Sequence, residues 1–125
     1  MARGPHAELV NTIVARNAAG VSNDCDGPIV SDGYNLLQNT AGCVITGDPT
    51  GNILGVDPRL RPLADYGGPT ETMALRPSSP AIDAGSAAAG PVTDQRGVAR
   101  PQDGDGDGIP ACDIGAYERS SSDRP

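Results

Sequence analysis

The sequence predicts an all-β chain coiled as a short parallel β-solenoid, and three observations carry that prediction. Short apolar runs recur at a spacing of roughly 20 residues, as expected of stacked rungs. They are Thr12-Ile13-Val14, Tyr34-Asn35-Leu36-Leu37 and Asn52-Ile53-Leu54. Asn, Asp and Gly bracket each run, where the chain must turn. Seventeen glycines and twelve prolines among 125 residues leave little room for long helices. Spacing alone is equally compatible with an antiparallel sandwich of short strands, the ordinary alternative.

Taken in order, residues 1–10 carry no apolar h-region of a signal peptide and are expected to be a frayed or extraneous N-terminus. Residues 11–60 hold the predicted rungs. Over residues 61–118 the texture changes: Gly67-Gly68-Pro69 and Ser79-Pro80, like Asp57-Pro58 just before, are turn or extended signals. The repeat stops there, which suits a region that caps the end of a solenoid. Within it, Thr70–Leu75 could form a strand or one helical turn, and Ala87–Gly90 a loop. Residues 119–125 have the composition of a disordered tail.

Composition excludes several function classes. A net charge of −7 without a basic cluster disfavours nucleic acid and anionic membrane surfaces. No apolar run is long enough to span a bilayer. With no Phe, Trp or Lys, the core must come from Val, Ile, Leu and Ala. Cys25, Cys43 and Cys112 allow three single pairings with one thiol left over. The expected bridge joins Cys25 and Cys43, both flanked by turn residues, and would contribute about 3 kcal/mol. Three reduced thiols are the alternative.

The chemistry concentrates in Gln102–Glu118, QDGDGDGIPACDIGAYE. Asp103, Asp105 and Asp107 alternate with glycines that let the backbone curl until the carboxylates converge. Hard oxygen ligands so arranged suit Ca²⁺. Counting Asp103 as the first position of a calcium loop puts Gly108 at the sharp turn and Ile109 where a backbone carbonyl coordinates. The final position, however, is Ile114 instead of a bidentate glutamate. Pro110 also opposes a following helix. The expected metal set is therefore Asp103, Asp105, Asp107, the Ile109 carbonyl and Asp113, with Glu118 or water as alternative completions. A solvated acidic turn is the plain structural alternative.

Seven motifs in order, NTIVARN, DGYNLL, GC, DPRLRPLADYGGPTETMAL, RPSSPAIDAG, TDQRGVARP and CDIGAYE, run through residues 11–118. Together they resemble the C-terminal part of bacterial surface proteins with a choice-of-anchor Q domain. That resemblance implies a right-handed parallel β-helix of the pectate-lyase type, here two or three rungs with an irregular C-terminal cap. It also implies a secreted or cell-surface parent protein, and no settled reaction. The family usually has many preceding rungs and a following anchor, both lacking here, so the chain is expected to be a fragment with one end of its coil open. Such an end exposes backbone edges, and a homodimer or higher oligomer is the expected assembly.

Five residues in the matched motifs are catalytic candidates should the chain be an enzyme: Asp83, Asp94, Arg96, Asp113 and Glu118. A carboxylate beside an arginine can do acid–base work, yet in a Gly-rich region it more often ties loops to the backbone. The single histidine, His6, is peripheral, and there is no Gly-x-Ser-x-Gly elbow or phosphate loop. The expected function is a structural or adhesive module with a calcium-ordered loop. The alternative is a small metal-dependent hydrolase of the phosphoesterase class using the acidic loop and another divalent metal. A carbohydrate-binding or carbohydrate-cleaving remnant is a third option.

Overall fold

The computed structural model describes residues 6–17, 24–88, 90–120, 122 and 123. Its regular elements are six strands: β1 (Ala7–Leu9), β2 (Ile13–Val14), β3 (Gly27–Asp32), β4 (Leu36–Leu37), β5 (Cys43–Asp48) and β6 (Ile53–Leu54). They form two three-stranded sheets, ordered β1-β3-β5 and β2-β4-β6. Every pairing is parallel: Ala7 lies beside Ile29 and Ile29 beside Ile45, while Ile13 lies beside Leu36 and Leu36 beside Ile53.

The corners explain why the rungs keep this register. Thr12, Asn35 and Asn52 each precede the first residue of β2, β4 and β6, so they stack in one column. The Asn35 carboxamide accepts from Thr12 N–H at 3.1 Å and donates to the Leu9 carbonyl at 2.9 Å. Asn52 repeats the pattern one rung on, its Oδ1 accepting from Asn35 N–H at 3.0 Å. Ser31, in the other sheet, ties the column to it: its hydroxyl accepts from Asn52 Nδ2 at 2.9 Å and Asn35 Nδ2 at 3.2 Å and donates to the Asp48 carbonyl at 2.7 Å. Polar side chains thus take up backbone groups that a tight corner leaves unpaired inside the fold. At the same corner Tyr34 adopts φ +59°, and Gly51 leaves room for its ring. Cys25 and Cys43 are joined in a disulfide, with Cα atoms 5.3 Å apart, at the entrances to β3 and β5.

The next column, Ile13-Leu36-Ile53, faces the C-terminal half of the chain. Leu36 is fully buried in a cluster with Leu60, Leu75, Ala81, Ile114 and Tyr117, and Ile13 and Ile53 pack against it. Asn11 fastens the two halves at the edge. Its side chain accepts from Ser86 N–H and donates to the Ser86 carbonyl, both at 2.8 Å, while its own carbonyl accepts from Gly115 N–H at 2.9 Å.

This architecture corrects the expected right-handed parallel β-helix. Among the described residues there are two small parallel sheets and no closed solenoid. Beyond β6 the described residues contribute only isolated antiparallel bridges, Leu60 to Leu75, Ala64 to Thr72, Thr93 to Ala99 and Gln102 to Ala111. The C-terminal half lies along the face of the β2-β4-β6 sheet, where it touches all three ladder positions. A recurrence of apolar runs specifies that strands stack, but not that the coil closes around them.

Other boundaries shift as well. Ala7–Leu9, assigned to a frayed N-terminus, pair with β3, whereas residues 1–5 lie outside the described residues. The two longest strands, β3 and β5, lie outside the three predicted runs; each has an apolar β-branched centre, Ile29-Val30 or Val44-Ile45, bordered by Gly, Pro or Asp that read as turn residues. Thr70–Leu75 supplies bridge residues Thr72 and Leu75. Arg119, assigned to the tail, is buried; of the tail beyond it, residues 121, 124 and 125 lie outside the described residues. Among the described residues, no helix is long and apolar enough to cross a membrane.

Burial along the ladders differs sharply, which gives a direct test. Leu36 has no exposed surface, whereas Leu54 is 46% exposed. Leu36→Ala is expected to destabilise the fold by about 2–5 kcal/mol in urea denaturation, and Leu54→Ala by less than about 1 kcal/mol. Equal losses would show that the C-terminal half does not pack on this face.

Candidate metal centre

The site begins with a buried charge network that the C-terminal half folds around. Asp94 accepts from the backbone N–H groups of Arg96, Val98 and Glu118 at 2.8, 3.0 and 2.8 Å. Its Oδ2 also pairs with Arg96 Nη2 at 2.7 Å. These bonds outweigh the desolvation that opposes them and hold the Asp94 carboxyl below its ordinary range. Arg96 continues to the Glu118 carbonyl at 2.7 Å, and its guanidinium lies 3.6 Å from the ring centre of Tyr117.

Glu118 occupies the middle. It accepts from Gln102 N–H at 3.1 Å and Asp113 N–H at 3.0 Å, with Arg100 Nη1 at 3.3 Å. Arg100 in turn donates to the carbonyls of Asp113 and Gly115 at 3.2 and 2.7 Å. Asp113, wholly buried, accepts from Asp83 N–H at 2.7 Å and Arg119 N–H at 2.6 Å. Burial dominates its titration and, with the charges of Glu118 and Asp83, pushes the Asp113 carboxyl up to about 7 against those two hydrogen bonds. Burial likewise raises Glu118.

Two consequences place the acidic loop. Asp113 holds the backbone of Asp83, which sits at φ +56°. Arg119 Nη1 donates to the carbonyl of Gly104, whose N–H donates to Asp83 Oδ1 at 3.3 Å. A side chain at Gly104 would press within 2.9 Å of both the Arg119 carbonyl and Ile82, so only glycine lets the loop approach this closely. Beyond it the loop winds around Asp103. Oδ1 accepts from Gly106 and Asp107 N–H at 2.8 and 3.1 Å, and Oδ2 from Gly108 N–H at 2.9 Å. Asp107 Oδ1 accepts from Ile109 N–H at 2.7 Å.

The result is a group of four carboxylates, Asp83, Asp103, Asp105 and Asp107, each offering an oxygen within 4.8 Å of the others. Asp83 Oδ2 is buried and has no hydrogen-bond partner. Desolvation, and then the negative charge of Asp105, raises the Asp83 carboxyl. Like charges gathered this closely repel, and a hard divalent cation is the species that would turn the repulsion into binding. Oxygen-only donors on a glycine-rich loop are of the kind that hard divalent cations take.

The expected set is therefore partly rearranged. Asp103, Asp105 and Asp107 converge. Asp113 is spent on the backbone of Asp83 and Arg119, so it supports the site from behind. The side chain of Ile109 is exposed. Asp83 joins from a turn about 20 residues upstream, a partner that no local loop pattern reveals. Of the catalytic candidates, Asp94, Arg96, Asp113 and Glu118 are committed to one another and to the backbone. Arg100 and Arg119 escaped the sequence reading, and their only signal is that all nine basic residues of this chain are arginines. Two surface grooves, of about 550 and 400 Å³, are lined by none of the four aspartates. Compared with protein-family models, curated proteins and solved structures, the chain has no match.

Two measurements check this network. In chelator, Asp113 keeps its proton in the folded chain up to about 7 but loses it near 3.8 when unfolded. Its contribution is thus complete below the lower value and is lost as pH rises through the upper one. The melting temperature should fall between about pH 4 and 7, and Asp113→Asn should flatten that slope. An unchanged slope would assign the proton elsewhere. Separately, Cys112 is 3% exposed, and burial followed by the charge of Glu118 raises its thiol. A maleimide should leave Cys112 unmodified in the native protein and label it in urea. Rapid native labelling would mean that this core opens.

Proposed function

We propose that this chain is a structural or adhesive module of a secreted bacterial surface protein, with a calcium ion ordering its acidic loop. The observation that carries the reading is the convergence of Asp83, Asp103, Asp105 and Asp107 from two separate segments. A cation held there links the Asp83 turn to the 103–108 loop. It thereby stabilises a region with little regular structure, since binding to a site that exists only in the folded chain adds to folding free energy. The setting follows from the resemblance of residues 11–118 to choice-of-anchor Q proteins, and the Cys25–Cys43 disulfide suits an oxidising compartment. Against hydrolysis stand the hydrogen bonds that occupy Asp94, Arg96, Asp113 and Glu118.

Metal titration separates the readings. EDTA is expected to lower the melting temperature, Ca²⁺ to restore it in preference to Mg²⁺, and Asp83→Asn to weaken Ca²⁺ binding at least tenfold by calorimetry. Substituting Asn for Asp103, Asp105 and Asp107 together should abolish the response. Turnover of phosphodiesters or phosphotriesters that depends on a divalent metal, in a protein whose melting ignores EDTA, would replace the module with a hydrolase.

A further inference from the structure

We draw no further inference here: the strongest candidate, the outer edge of β5 in the last rung, where Val44 is 57% exposed, carries nothing because nothing in the structure shows what covers it.

Discussion

The fold of this chain depends on the carboxylates of Asp94, Asp113 and Glu118, buried among Arg96, Arg100 and Arg119. Burying an ion is costly, and opposite charge alone rarely recovers the cost. Here each carboxylate also accepts backbone N–H groups, and each guanidinium donates to carbonyls, across segments that have no ladder to satisfy them. The network therefore does for the C-terminal half what sheet hydrogen bonding does for the first half. Arginine suits this work better than lysine because its planar fork reaches several acceptors at once and sheds its hydration more readily.

That network also sets the position of the candidate cation site. Asp113 fixes the Asp83 backbone and Arg119 fixes Gly104, so the deepest aspartate and the loop that approaches it hang from the same buried frame. The mobile-looking part, Gly-Asp-Gly-Asp-Gly, is folded onto Asp103 by its own amides. Structural support and the candidate cation site draw on two sets of acidic residues close together in sequence, and burial decides which set a residue joins.

The first half follows a different logic. Thr12, Asn35 and Asn52 fill the corners with backbone-directed hydrogen bonds, and Ile13, Leu36 and Ile53 present one apolar column. The C-terminal half covers that column from the side. A reading that puts it at the end of a closed coil misplaces it, because an apolar stripe on one face is as well buried by a lateral layer as by a further rung. The antiparallel alternative fails for another reason: successive strands alternate between two sheets, so each one pairs with the strand after next.

By itself, the sequence determined the local features: three short apolar strands at their spacing, turn residues at the corners, the convergence of Asp103, Asp105 and Asp107, and a pair of turn-flanked cysteines. All of these are fixed within a few residues by side-chain type and backbone freedom. Only the tertiary structure decided that Asp83 joins the acidic loop and that Asp113 turns inward. Those outcomes depend on partners distant in the chain. Burial and pairing across such distances are properties of the packed whole, and no local pattern encodes them.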